Sequence, residues 1–299
     1  MIRRFKRRLI QVFAALLYNL DLPEFATGGI SQSPTKAICV PGLNCYSCPA
    51  AIGACPIGSL QAALGAADRR LPFYLVGTIL AFGAVFGRTV CGWLCPFGLI
   101  QELLAKIPVP LLRKNHLTRK ASWTKYFVLG ITVVLIPLTV ALAGQAPLPF
   151  FCAWICPVGT LEAGIPLVLA NERLAATLGW QFVWKGVLLV VILVICAFVY
   201  RPFCRFLCPL GALYSFFNRF ALLRYRVDPA RCTQCKTCVE VCRMDIQTVG
   251  DRECIQCGAC VSHCEQAAIR FTLRDILEKP ESGAARESVP SSPAGTDQP

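Results

Sequence analysis

Apolar runs at residues 9–22, 71–86, 126–143 and 182–200 constrain this chain more than any other feature, because each approaches the length of about 20 residues that a helix needs to cross a bilayer. Composition agrees. Of the 299 residues 55% are hydrophobic and only 16% are charged, which is too apolar for an ordinary soluble domain. The first run is the weakest: at 1.5 Å per residue it reaches about 21 Å, so snorkelling arginines or a locally thin bilayer must complete it. Its basic start resembles a signal peptide, but no small-residue cleavage site follows in "DLPEFATGG", and an uncleaved anchor is the expectation.

Basic residues set the orientation. Arg3, Arg4, Lys6, Arg7 and Arg8 precede the first run; Arg88, Lys106, Arg113, Lys114, Arg119, Lys120 and Lys125 lie between the second and third; Arg201, Arg205, Arg219, Arg224 and Arg226 follow the fourth. The other two connections carry mainly Lys36, Arg69, Arg70 and Arg173. The expectation is a multi-pass protein of the bacterial cytoplasmic (inner) membrane, with both termini cytoplasmic and residues 39–56 facing outward. Because the net charge of +13 gathers beside apolar spans, it argues against a nucleic-acid partner.

From residue 227 the composition changes to a small cysteine-dense segment ending near residue 272. There "CTQCKTCVEVC" and "CIQCGACVSHC" share the C-x2-C-x2-C-x3-C spacing of a two-cluster ferredoxin. In that arrangement the fourth cysteine of each run crosses over. Cys232, Cys235 and Cys238 join Cys264, and Cys254, Cys257 and Cys260 join Cys242, each set holding one [4Fe-4S] cluster. Zinc sites usually space two C-x2-C pairs further apart, and with only two histidines in the chain a haem lacks its ligands. The proline that commonly follows the fourth cysteine is Arg243 in one run and Glu265 in the other. Residues 273–299 are rich in Pro, Ser and Gly and read as a disordered tail.

A second motif recurs through the apolar region: "CGWLCPFGLI" from Cys91, "CAWICPVGTL" from Cys152 and "CRFLCPLGAL" from Cys204, with "AIGACPIGSL" from Ala51 a degenerate copy that keeps Cys55 but lacks the first cysteine. Proline is tolerated at the first position of a helix, so each C-P pair should place its second cysteine at a helix N-cap. The positive end of that helix is expected to lower the thiol pKa and favour the metal-binding thiolate. Sorted by orientation, Cys91, Cys95, Cys204 and Cys208 form an inner set. An outer set is expected from Cys48, Cys55, Cys152 and Cys156, with Cys48 replacing the missing cysteine. Each set could hold an additional iron-sulfur cluster or another metal. Disulfides in the "CVPGLNCYSCPAAIGACP" segment, residues 39–56, remain the alternative, since outward thiols meet an oxidising compartment. Cys196, alone inside the fourth run, reads as core.

The expected architecture is therefore mainly α. Residues 1–226 form a four-helix transmembrane domain carrying the C-x3-C-P repeats, and residues 227–272 form a small α+β two-cluster ferredoxin-like domain on the cytoplasmic side. These motifs together resemble the membrane iron-sulfur subunits of the NapH type and the C-terminal part of the NosR type, over roughly residues 70–272. The resemblance implies electron transfer between the quinone pool, or a redox partner protein, and a reductase, as a subunit of a quinone-linked oxidoreductase system. Two other readings stay open: a metallocentre-assembly protein or copper reductase, since paired thiolates suit Cu(I), and a transmembrane thiol-disulfide relay. Glu102 and Glu162, each a few residues past a C-P turn, could exchange quinol protons. Solvated helix faces are the plainer reading of both, and no catalytic residue is assigned.

Overall fold

The computed structural model describes residues 2–24, 28–66, 73–108 and 116–272. The expected tail lies outside the described residues, as do Arg69, Arg70, Arg113 and Lys114. Helices dominate, and among the described residues the strands are the antiparallel pair Tyr225–Val227 and Ile269–Phe271, which closes the cysteine-dense segment at both ends, with one isolated parallel bridge between Cys39 and Ala54. That segment therefore begins two residues earlier than its composition suggests.

Two helices among the described residues are long and apolar enough to cross a membrane, Leu117–Leu142 and Trp180–Phe198. They coincide with the third and fourth apolar runs, although the former starts nine residues earlier. The second run is the shorter helix Phe73–Phe86. The first forms Ile2–Tyr18, starting seven residues earlier than its apolar stretch, because lysine and arginine are good helix formers and extend it through its basic start. Two long spans are thus seen where four were expected. Leu129–Leu135 takes up a π-helical winding ahead of Pro137, whose ring cannot donate to the helical ladder.

The repeats fold alike. In each of three copies the first cysteine lies in a five-residue helix, Thr89–Trp93, Phe150–Trp154 or Pro202–Phe206. A tight turn follows, and the second cysteine caps a new helix with proline at its first turn: Cys95 before Pro96–Leu104, Cys156 before Pro157–Gly159 and Cys208 before Pro209–Phe217. Cys55 caps Pro56–Gly65 in the same way. All four capping cysteines have extended backbones, as a residue preceding proline should. One core joins the repeats to the cysteine-dense domain, with Phe97, Phe151, Val158, Phe203, Tyr214 and Ile255 all buried within it.

Candidate metal centres

The two cysteine runs near the C-terminus wind identically. Gln234 and Lys236 in one, and Gln256 and Gly258 in the other, flank the second cysteine with left-handed backbone angles, which curl each C-x2-C-x2-C segment into a cup. Gly258 is required where it stands, because a Cβ there would lie 2.5 Å from the Tyr225 hydroxyl. The cysteines divide between two cavities. Cys232, Cys235, Cys238 and Cys264 line one; Cys242, Cys254, Cys257 and Cys260 line the other. Arg243, which replaces the usual proline, lies over the Tyr200 ring at 5.6 Å and ties this domain to the helical one.

The inner set also converges. Cys91, Cys95, Cys204 and Cys208 are all buried and within electrostatic reach of one another. Gln101, six residues after Cys95, donates its side-chain amide to the Cys204 sulfur at 3.1 Å and accepts from the Phe203 N–H at 3.2 Å. In the outer set Gln61, six residues after Cys55, donates to the Cys152 sulfur at 3.2 Å and accepts from the Phe151 N–H at 2.9 Å. The residues six past the other two C-P cysteines are Glu162, which accepts from the Cys45 N–H at 2.8 Å, and Tyr214, whose hydroxyl donates to the Pro41 carbonyl at 2.9 Å. Sequence reasoning stopped the repeat one position short of this recurring polar residue.

Cys45, not Cys48, makes the contacts seen with the outer set. The Cys48 thiol lies 3.5 Å from Asn19 Oδ1 and the carbonyl of the same residue accepts from Lys36, whereas Cys45 lies in electrostatic reach of Cys152 and Cys156. The C-P turn fixes Cys55 in space, but proximity in sequence did not identify the thiol folded back towards it. None of the nineteen cysteines is disulfide-bonded. Cys196 is fully buried in the core, as expected.

Burial overrides the helix N-termini. Amide N–H groups at the helix starts do favour the thiolates, but desolvation is larger and pushes Cys95 and Cys156 up to about 12, with Cys55 and Cys208 also raised well above the ordinary value. Without a bound cation these thiols stay protonated; a metal that takes them as thiolates supplies the compensating charge. Among the described residues no three His, Cys, Asp or Glu side chains converge on a single ion. A cubane holds its four thiolates further apart than one ion does.

Charge around the inner set points the same way. Among the described residues Arg7, Arg88, Lys125, Arg201 and Arg205 are buried there beside Glu102, Glu253 and Asp245, five cations against three carboxylates. The Nε atoms of the four arginines have no partner. A thiolate-ligated cluster is negative and suits that surplus. Glu102 is no solvated helix face: it accepts from Arg7 at 2.6 Å, from Arg201 at 2.9 Å and from the Tyr200 hydroxyl, and these partners hold its carboxyl down at about 2 despite burial.

The ferredoxin-like segment docks beside the inner set through several buried contacts. The Trp93 indole donates to the Gln256 carbonyl at 2.8 Å, Asn218 donates to the Cys254 carbonyl at 3.0 Å, and Glu253 is clamped by Arg88 at 3.0 Å and Lys125 at 2.6 Å.

Comparison with known proteins follows the same division. A family model described as a 4Fe-4S binding domain matches residues 71–115, 126–165 and 182–227, the three complete repeats, and a second of the same description matches residues 225–248. The methylamine utilization ferredoxin-type protein MauN of Methylobacillus flagellatus is 27% identical over 79% of this chain and 74% of its own length. The ferredoxin-type protein NapH of Haemophilus influenzae is 33% identical over 59% of this chain and 56% of its own. The regulatory protein NosR of Pseudomonas aeruginosa is 33% identical over 54% of this chain but only 21% of its own length. No solved structure matches. These likenesses indicate [4Fe-4S] clusters and iron-sulfur electron transfer, and together with the two apolar helices they point to a membrane protein.

Proposed function

We propose that the chain, similar to ferredoxin-type 4Fe-4S proteins of the NapH/NosR kind, is a membrane electron-transfer protein with two [4Fe-4S] clusters in residues 227–272 and a further one at Cys91, Cys95, Cys204 and Cys208. It serves a quinone or a redox partner protein at the inner membrane. The observation that carries this reading is the docking: Ile255, between ferredoxin cysteines Cys254 and Cys257, packs its carbonyl directly against Gly92, between Cys91 and Cys95. Reversible one-electron storage is the chemistry that such clusters supply when bound. The protein's own residues do the rest. The cysteines hold the clusters, Trp93 and Asn218 fix the ferredoxin loop, and the buried Arg88–Glu253–Lys125 group locks the two domains in one orientation while excluding water.

Anaerobically purified protein tests the reading through its iron and acid-labile sulfide. Changing Cys235 to serine should remove about four iron atoms per chain, the content of one cubane. The spectrum of the inner site should be unchanged. Stoichiometric zinc in place of iron would remove the proposal.

The proposed topology has four crossings, with Ile2–Tyr18 and Phe73–Phe86 completing the two long spans and both termini in the cytoplasm. It is supported by the basic residues flanking the cytoplasmic positions. Reporter fusions at Lys114 and Asn171 should give opposite readings, cytoplasmic for the first and exported for the second. Matching readings would eliminate this topology.

A further inference from the structure

One hydrogen bond identifies the missing cysteine of the degenerate repeat. In each complete copy the N–H of the second cysteine donates to the carbonyl of the residue just before the first cysteine: Cys95 to Val90 at 3.0 Å, Cys156 to Phe151 at 2.9 Å and Cys208 to Phe203 at 2.9 Å. In the degenerate copy the Cys55 N–H donates to the Asn44 carbonyl at 3.1 Å. The residue after Asn44 is Cys45. It therefore occupies the place of Cys91, Cys152 and Cys204, although nine residues rather than three separate it from Cys55.

The four copies then pair in a regular way. In three of the four copies the residue six past the C-P cysteine reaches towards the partner copy, Gln61 to Cys152 and Glu162 back to Cys45 in one pair and Gln101 to Cys204 in the other, while Tyr214 donates to the Pro41 carbonyl instead. Gln61 and Gln101 also bond the carbonyls four residues earlier, Ile57 and Phe97, so both amides are held in the same orientation. The Cys45 sulfur lies 3.5 Å from where a Cβ on Gly159 would stand, and the Cys152 sulfur 3.8 Å from a Cβ on Gly58. Each sulfur thus rests over the C-P-x-G turn of the opposite copy, which makes the approach mutual.

From this correspondence we infer that Cys45, Cys55, Cys152 and Cys156 form a second four-thiolate iron-sulfur site, a structural duplicate of the Cys91, Cys95, Cys204 and Cys208 site, in which Gln61 and Gln101 are equivalent positioning residues donating N–H to a ligand sulfur. The inference rests on the proposed reading that such four-thiol sets hold clusters. Residues 39–65 lie outside every segment matched by the family models. The two sites stand close together. The Cys95 sulfur accepts from the Leu43 N–H, and Tyr214 lies within electrostatic reach of Cys55, Cys91 and Cys95.

The experiment uses the full chain, reconstituted anaerobically with iron and sulfide and read by iron count and Mössbauer spectroscopy. Wild type should hold about sixteen iron atoms, four cubanes. Cys45→Ser and Cys91→Ser should each lose about four, and Cys48→Ser none. Loss in Cys91→Ser without loss in Cys45→Ser overturns the duplicate site and leaves the inner site standing; loss in neither removes both. Loss in Cys48→Ser but not in Cys45→Ser overturns the choice of ligand. Should Cys45→Ser fail to fold, Gln61→Leu keeps the question open to measurement. It should retain all the iron and lower the midpoint potential of one cluster, because N–H···S bonds stabilise the more negative reduced state. Gln101→Leu should lower the potential of a different one. Unchanged potentials in Gln61→Leu would overturn its role at a ligand sulfur.

Discussion

Replacing Glu253 with glutamine is expected to destabilise the protein by about 3–5 kcal/mol, because removing one partner from a buried ion pair leaves the others as uncompensated charges. Glu253 is 1% exposed and, among the described residues, is the only carboxylate contacting both Arg88 and Lys125, each fully buried. Glutamine has similar shape and still offers an oxygen, but it cannot balance two cations. A natural domain has about 5–15 kcal/mol of stability to lose, so this single change removes a large share of it. The loss should fall on the interface: the Arg88 and Lys125 contacts tether the loop that carries Cys254, so this loop should open before the helices do. Thermal unfolding in detergent and limited proteolysis between residues 218 and 252 would register it as a lowered midpoint and early cleavage. The control is Arg231→Ala, which breaks the exposed pair with Asp228 and should change stability by about 1 kcal/mol or less. Equal behaviour of the two variants would show that the buried group does not fasten the domains.

The basic residues illustrate what a linear pattern can and cannot convey. Their clustering beside apolar runs was visible in the sequence and remains the support for the orientation. Their partners were not visible, because Arg7 meets Glu102 across 95 residues and Arg88 meets Glu253 across 165. The result is that Arg7, Arg88, Lys125, Arg201 and Arg205, read as flanking charges, are internal ones. Cysteine spacing was more informative where ligands are close in sequence. The C-P turns and their capping cysteines follow from local backbone chemistry, since proline fixes its own φ and restricts the residue before it. Cys45 escaped notice for the opposite reason: its pairing with Cys55 depends on a loop folding back, and no local preference distinguishes it from Cys48. The helices themselves were legible: Phe73–Phe86 lies within the second apolar run and Pro56–Gly65 starts at the C-P turn after Cys55, but only Leu117–Leu142 and Trp180–Phe198 are long enough for composition alone to mark as spans.

Gly92→Ala should separate the ferredoxin-like domain from the inner thiol set. A Cβ on Gly92 would lie 2.1 Å from the Ile255 carbonyl oxygen, with the Ile255 carbonyl carbon at 3.3 Å and the Cys257 amide at 3.8 Å. The clashing Ile255 carbonyl is backbone, so no side chain can rotate away and the loop between Cys254 and Cys257 must move as a unit. Overpacking of a tight contact costs about 1–3 kcal/mol, and a rigid loop braced by Trp93 and Asn218 puts this case at the upper end. Gly77→Ala is the matched control, because its Cβ would meet nothing within 4 Å and alanine is the better helix former. With both variants reduced to the same extent, spin–spin interaction between clusters, read by electron paramagnetic resonance, should weaken in Gly92→Ala and persist in Gly77→Ala. Iron content should match wild type in each, since no cysteine changes. Because one added methyl group would then alter communication between two sites without emptying either, the result would place the path of electrons through the Gly92–Ile255 contact. Unaltered coupling in Gly92→Ala would move that path elsewhere, most directly to the Tyr200 side, where Arg243 and the second cavity bring Cys242, Cys257 and Cys260 towards Glu102.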